Sequence, residues 1–467
     1  MTAPLQDRPS RSLSDGAPGD EYGLTPEITQ AVIDSLHAGD IPAVERIVEE
    51  VLYPADVADL IEQLGYEDRR LFVTAMRQKL DPEVFPELNE TIRDEVLALI
   101  GAEALAGAVQ ELDSDDALEI IADLDEEQQR DLLARLPLAD RLVLEQGLNY
   151  REYTAGRLMQ RDLVAVPAFW TVGETIDYMR GSPNLPDDFY DIFVVDPRHR
   201  PVGTVPLSRI LRNRRPVHVG DIMDSDVTPI SVDMAQEELA FVFRQQDLVS
   251  APVVDENGRL LGVVTIDDVV DVIDEEAEDD LMKLGGVQGG DFYQAAFTTA
   301  RSRSTWLLVN LFTALLTASV ISLFEATIQE IVALAILMPI VASMGGNAGT
   351  QALTVAVRAL ATRELTTTNA MRTILKEVVV GSMNGMVFAV LIGLIAGLWF
   401  QNVQIGGVIA TAMILNLAVA GFCGVSIPLA LDRLGVDPAI ASAVFLTTVT
   451  DVIGFFAFLG LATLVLL

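Results

Sequence analysis

The sequence is poor in cysteine and in lysine. Its 467 residues include one cysteine, Cys423, and three lysines, Lys79, Lys283 and Lys376. A single thiol inside an apolar run excludes a disulfide or a thiolate metal site within the chain. No Gly-x4-Gly-Lys-Ser/Thr stretch occurs, so ATP-driven pumping through a P-loop is not indicated. Positive charge is scarce altogether, with 31 Lys and Arg against 68 Asp and Glu and a net charge of −37. The acidity argues against nucleic acid as a partner, because phosphates call for basic patches. Such acidity suits cations as partners, or simply solubility. The N-terminus, "MTAPLQDRPSRSLSDGAPGD", has no apolar core, so no secretory signal peptide is expected. Its composition predicts a disordered tail over 1–24.

The charge is unevenly placed. Seven Lys/Arg and seven Asp/Glu lie from Thr298 onward, so the first 297 residues carry the whole net charge. No run among those residues is long and apolar enough to cross a bilayer. Beyond Arg303 come uncharged windows at 304–324, 331–357 and 378–431, and a last one from Pro438 interrupted only by Asp451. The third is too long for one span, and "FQNVQIGG" divides it. With about 20 apolar residues per crossing, five transmembrane helices are expected over 301–467, seated in the lipid bilayer.

Arg301 and Arg303 precede the first window. Arg358, Arg363, Arg372 and Lys376 fall between the second and third, and Arg433 between the fourth and fifth. The loops "EATIQE" and "FQNVQIGG" have no Lys or Arg. The positive-inside rule places the N-terminus in the cytoplasm and the C-terminus outside.

Two polar features stand out in the apolar half. The second window contains "MPIVASMGGNAGTQALTVAVRAL", in which Pro339 removes a backbone donor and Gly345, Gly346 and Gly349 allow close approach. Asn347 and Gln351, four residues apart, share a face. They either bond to neighbouring helices or line a polar cavity. Asp451, in "TTVTDVIGFF", falls near mid-membrane at about 1.5 Å per residue. A carboxylate there costs roughly 2.5–3.5 kcal/mol on insertion scales. It is either protonated or bonded to Thr447, Thr448 or Thr450, or it is a cation site on an aqueous path.

The acidic half has three parts. Over 25–150, segments such as "PADVADLIEQL", "DSDDALEIIADL" and "DEEQQRDLLARLP" place apolar residues at helical spacing behind acidic first turns. A superhelix of short helices is expected. Over 151–275 a sequence repeats. "AGRLMQRDLVAVPAFWTVGETI" is echoed by "VGDIMDSDVTPISVDMAQEEL", and "IFVVDPRHRPVGTVPLSRIL" by "APVVDENGRLLGVVTIDDVV". The first copy is longer, and the extra residues are expected within "GSPNLPDDF". Each copy reads as strands plus helices with a turn before a β-branched strand. Over 276–300 an acidic connecting helix is expected. Positions 274–280 are all acidic except Ala277. On a helix Asp268, Asp271 and Glu275 share a face, as do Glu276 and Asp280. Two carboxylates about 5 Å apart repel by roughly 3 kcal/mol at an effective dielectric of about 20. A divalent cation relieves that, and Mg²⁺ and Ca²⁺ both take oxygen ligands. A solvated acidic linker is the plainer alternative.

The repeat resembles a tandem pair of CBS domains, regulatory modules for nucleotides or ions. A helical acidic domain, a CBS pair, an acidic helix and five spans, in that order, resemble the MgtE family of magnesium channels. The most specific motifs are "MGGNAGTQALTVAVRALATREL" and "GVDPAIASAVFLTTVTDVIGFFAFL". The resemblance implies an all-α superhelical N-terminal domain, α/β CBS domains and an all-α five-helix membrane domain. It implies a homodimer in the inner (plasma) membrane, with a pore on the two-fold axis, and no enzyme activity. It places one Asp451 from each subunit at a central Mg²⁺ site, with Ala443 and Thr447 lining the helix nearby. At Ala443 some relatives have Asn, so no side-chain ligand exists there and only backbone contact is left. The cytoplasmic sensor acids match Asp268, Asp271, Glu276, Asp279 and Asp280, with Asp115 and Glu119 as partners in the helical domain. ATP at the CBS pair is a further ligand of some relatives. The function implied is passive, Mg²⁺-gated uptake of Mg²⁺. An ion-coupled secondary transporter and a membrane-anchored regulator are the rival readings.

Overall fold

The computed structural model describes residues 23–182, 185–186, 189–287 and 292–467. The tail expected over 1–24 therefore lies almost wholly outside the described residues, as does part of the longer loop of the first repeat. The chain divides into two compact units, residues 1–275 and 276–467.

The first unit opens with a succession of helices of about three turns each, from Pro26–Ala38 to Leu138–Gly147. Their starts are written locally. Thr25 accepts from the Ile28 amide and Asp40 from the Ala43 amide, and Asp125 and Gln128 form a capping box. Gly39 ends the first helix at φ +71°, a left-handed conformation that favours glycine. Leu60, Ile61, Phe72, Met76, Ile120 and Ile121 are fully buried or nearly so. Two arginines are buried with them. Arg69 donates to the carbonyl oxygens of Ile61 (2.9 Å) and Leu64 (3.0 Å) and pairs with Glu95. Arg93 pairs with Glu119 and Asp123, both at 2.6 Å.

The repeat follows as two sheets of identical topology. Strands β1 (Ala165–Pro167), β2 (Asp191–Val195) and β3 (Pro201–Pro206) are ordered β1-β2-β3. Strands β4 (Ile230–Ser231), β5 (Ser250–Val254) and β6 (Leu260–Thr265) are ordered β4-β5-β6. The first pair in each sheet is parallel and the second antiparallel. Val194 faces Gly203 and Val253 faces Gly262, and each register shifts at the next residue. The turns match too. Asp196 accepts from the amides of Arg198 and Arg200, and Asp255 from those of Asn257 and Arg259. The left-handed residue is His199 (φ +62°) in the first turn and Gly258 (φ +76°) in the second.

The second unit holds five helices long and apolar enough to cross a membrane. These are the first span (Ala296–Ser322), second (Ala333–Ala361), third (Ala370–Trp399), fourth (Val403–Arg433) and fifth (Pro438–Leu466). The fourth packs against the second, third and fifth. Small residues permit this: a Cβ on Gly381 of the third span would stand 2.3 Å from the Leu417 carbonyl oxygen.

Three boundaries differ from those read in the sequence. The acidic helix is Ile266–Gly285, so it begins directly after β6 and stops well before residue 300. The first span already contains Arg301 and Arg303 in its opening turns. A helix need not end at the edge of the hydrocarbon, and hydropathy reports only the apolar part. "EATIQE" is itself a short helix, Glu325–Glu330.

Candidate metal centres

Asp451 projects from the fifth span and is half-buried. The threonines around it are committed to their own helix. Thr447 Oγ1 donates to the carbonyls of Ala443 (3.0 Å) and Val444 (3.1 Å). Thr448 donates to Val444 (2.7 Å), and Thr450 to Leu446 and Thr447 (both 3.0 Å). Among the described residues none donates a hydrogen bond to the Asp451 carboxyl. The bonded alternative, in which a threonine satisfies this acid, is therefore not what this chain does. Ala443 is partly buried against a cluster that includes Leu353, Cys423 and Leu446.

Asn347 and Gln351 lie on the exposed face of the second span, and Asn347 reaches Ser343 Oγ at 3.4 Å. The opposite face, with Gly345, Gly349, Ala352 and Leu353, is buried. Polar amides on the outer face of a membrane helix need water or a further protein surface, since lipid tails satisfy neither N–H nor C=O.

One buried amide escaped the sequence reading. Asn416, in the apolar run "AMILNLAVAG", is fully buried on the fourth span. Its Nδ2 donates to the Val341 carbonyl at 2.9 Å, while its Oδ1 has no partner among the described residues. An unmade acceptor of that kind costs about 1–3 kcal/mol. A lone Asn in a hydrophobic run was the only available signal.

In the first unit, Asp115 and Asp268 come together beside Asp116. Asp115 is buried, and both its carboxyl oxygens lack a partner among the described residues. Burial, then the neighbouring Asp268, pushes its pKa well above the usual carboxylate range. Burial, then Asp268, raises Asp116 to about 7. Burial raises Asp268 to about 6, against a 2.9 Å hydrogen bond donated by Thr265 Oγ1. Burial and mutual repulsion favour the protonated form of these carboxyls. Asp271 is exposed, within electrostatic reach of Asp267, Asp274 and Glu119. Glu119 itself is engaged by Arg93. Asp116, beside Asp115 in the same first turn, is not among the acids that the family resemblance singles out.

In the second unit, Lys283 near the end of the acidic helix binds Asp279 and, at 2.7 Å, Asp437. Asp437 caps the fifth span, accepting from the Ala439 amide at 2.8 Å. Burial opposes the Lys283 charge, but its bonds to the two carboxylates outweigh that and hold its pKa above the ordinary value. Burial, then Asp437, raises Asp280, while Lys283 lowers it. Glu276 is partly buried on the same helix.

Among the described residues no three of His, Cys, Asp and Glu gather closely enough to hold one ion. Among those residues the carboxyls come in ones and twos.

Family comparisons agree along the chain. The MgtE family, described as a divalent cation transporter, matches residues 338–461. The MgtE intracellular N domain matches 52–153, and CBS domains match 155–215 and 219–275. The magnesium transporter MgtE of Thermus thermophilus is 33% identical over 93% of this chain and 97% of its own length. The chain belongs to the MgtE family. The Bacillus subtilis MgtE magnesium transporter is 30% identical over 94% of this chain and 97% of its own. Among solved structures, the cytosolic domain of the Mg²⁺ channel MgtE in complex with ATP is 31% identical. It covers 52% of this chain and 99% of its own, with a TM-score of 0.48. The soluble part of a magnesium transporter is 25% identical, covers 54% of this chain and 98% of its own, and has a TM-score of 0.47. This MgtE chain thus joins a helical N domain, a CBS pair and five apolar helices, and its curated relatives are transporters rather than enzymes.

Proposed function

We propose that this MgtE chain is a Mg²⁺ channel that passes Mg²⁺ inward and closes when cytoplasmic Mg²⁺ is high. The observation that carries the reading is Asp451: a half-buried carboxyl in the middle of an apolar span, with no hydrogen-bond donor from the described protein. A hydrated divalent ion is the partner that suits it. Two such carboxylates, one from each subunit across a two-fold axis, would hold Mg²⁺ largely through its waters.

The homodimer is supported by the outward face of the second span. Ser343, Asn347 and Gln351 form a polar stripe there, which lipid would penalise and a water-filled axis would solvate. The positive-inside pattern favours a cytoplasmic N-terminus and an extracytoplasmic C-terminus in the inner membrane. An inside-negative potential of about 100 mV supplies about 2.3 kcal/mol per charge, hence about 4.6 kcal/mol for Mg²⁺. No other driving force is needed.

Closure rests on the acids of both units. Asp115, Asp116 and Asp268 repel one another when deprotonated, and Mg²⁺ would draw them together, with Asp271 and Glu119 at the margin. Glu276, Asp279 and Asp280 extend the charge along the acidic helix. Its end is tied by Lys283 to the N-cap of the helix that carries Asp451. A ligand closes the pore only if it binds the closed state more tightly, and added carboxylate contacts there provide the difference.

ATP is a second proposed ligand of the first unit. A cleft of about 220 Å³ there is lined by Tyr190, Phe193, Thr265 and Asp267. Asp113, Asp162 and Asp191 also line it, with no Lys or Arg, so a triphosphate would enter accompanied by Mg²⁺.

The test is Mg²⁺ entry into proteoliposomes held at an inside-negative potential, with no H⁺ or Na⁺ gradient. Wild type is expected to conduct and Asp451→Asn to lose at least tenfold. Entry that requires an H⁺ or Na⁺ gradient would identify a secondary transporter instead. Equal flux through Asp451→Asn would remove Asp451 from the pathway.

A further inference from the structure

The fourth span carries no acid or base between Val403 and Leu431, yet it buries Asn416 completely. The surroundings of that amide are specific. On one side lies Gly345 of the second span, where a Cβ would stand 2.2 Å from Asn416 Nδ2. On the other lies Gly454 of the fifth span, where a Cβ would stand 2.8 Å from the same atom and 3.0 Å from Cγ. Real Cβ atoms do not approach so closely, so the absence of a side chain at both positions is what admits the amide. Nδ2 then donates to Val341, one turn before Gly345.

These contacts involve the two helices that bear the polar residues of the proposed pathway. Gly454 is three residues beyond Asp451, and Gly345 is two residues before Asn347. One side chain therefore sets the separation of the second, fourth and fifth spans at the level of the carboxylate. An apolar residue of similar size would fill the space, but it would leave the second span without its hydrogen bond.

We infer that Asn416 is a positioning residue for the Asp451 ion site. It holds the second and fifth spans at the distance from the fourth that places the carboxylate against a hydrated ion. The inference rests on the proposed role of Asp451. It concerns the occupancy of the pore site rather than the sensor, so it makes a distinct claim. Disturbing Asn416 should change the Mg²⁺ concentration that half-saturates conduction. The cytoplasmic Mg²⁺ that closes the channel should stay the same.

The test compares Mg²⁺ uptake in proteoliposomes of the full chain for wild type, Asn416→Ala, Gly454→Ala and the double variant. Asn416→Ala and Gly454→Ala are each expected to raise the half-saturating Mg²⁺ at least fivefold. In the double variant the smaller side chain at 416 makes room for the new Cβ. Its half-saturation is expected closer to wild type than that of Gly454→Ala. A merely structural role would lower the maximal flux in proportion to recovered protein and leave half-saturation in place, and that outcome would overturn the inference. If Asn416→Ala is not recovered, Gly454→Ala and Asn416→Ser are read by the same criterion. Asp451→Asn is measured in parallel. If it conducts like wild type, the pore reading fails. If it does not conduct and the half-saturation of the other variants is unmoved, only the positioning role fails.

Discussion

At the scale of single residues, the chain places unpaired polar groups where they are most costly. Asp115 is a buried acid with no partner among the described residues, Asn416 a buried carbonyl acceptor with none, and Asp451 an acid in an apolar span. The cytoplasmic acids give a pH test. Asp116 and Asp268 carry pKa values of about 7 and about 6, above the ordinary 3.8, so the folded state binds more protons than the unfolded one between those limits. Their contribution to stability is full below about pH 4 and is lost as pH rises through 6 to 7. Mg²⁺ bound there, as proposed, would compete with those same protons. The cytoplasmic Mg²⁺ needed for closure is therefore expected to be several-fold higher at pH 5.5 than at pH 7.5, read from current inhibition. Arg93 gives a second test. It is buried itself, but Glu119 is exposed and Asp123 partly so, so its removal strands no fully buried charge and costs less than the about 3–5 kcal/mol of a wholly buried pair. Arg93→Ala is expected to lower the denaturation midpoint of the first unit accordingly. The sequence showed Asp115, Asp268 and Asp451 as candidates through motif position. It did not show that Glu119 belongs to Arg93, because that pair joins residues 26 positions apart on different helices. Asn416 was illegible for a related reason: hydropathy averages one amide away, and only packing reveals Gly345 and Gly454 around it.

At the scale of elements, the proposed coupling runs through the acidic helix. Its Lys283 acts as a built-in cation between Asp279 and the Asp437 cap of the fifth span. Lys283→Met would leave Asp279, Asp280 and Asp437 facing one another without a counter-charge. A partly exposed pair of this kind contributes about 1 kcal/mol at most, which corresponds to about a fivefold change. The Mg²⁺ midpoint for closure is expected to rise by up to that factor, with unitary conductance unchanged. An unchanged midpoint in a Mg²⁺ titration would show that the ion pair does not transmit gating. The CBS repeat was legible in detail, because the Asp-led turns, β-branched strands and Gly203/Gly262 pairings are local features that recur in both copies. The ends of the acidic helix were less so. Its start is set by where β6 finishes, and its stop at Gly285 precedes a first span whose opening turns include Arg301 and Arg303. Charge density marks the acidic run, but neither boundary coincides with a change in charge.

At the scale of the whole molecule, charge and hydropathy divide the chain into an acidic part and a neutral apolar part. The five apolar helices all lie in the neutral part, while the two compact units divide at 275/276, inside the acidic run. A long apolar window forces a helix, because no other single segment satisfies its backbone in lipid. The proposed function gives conduction and its control to different groups: Asp451 to the ion, the acids of the first unit and of the acidic helix to the cytoplasmic Mg²⁺ signal. The two should separate on mutation. Neutralising Asp268, Asp271, Glu276 and Asp280 together is expected to leave a channel that conducts and stays open at high internal Mg²⁺. The most direct test of that assignment is patch recording with Mg²⁺ titrated on the cytoplasmic face, for wild type and Asp451→Ala. Wild type is expected to carry Mg²⁺ current at low cytoplasmic Mg²⁺ and to close as it rises, while Asp451→Ala carries no measurable Mg²⁺ current at any concentration. Equal Mg²⁺ currents in the two proteins would contradict it.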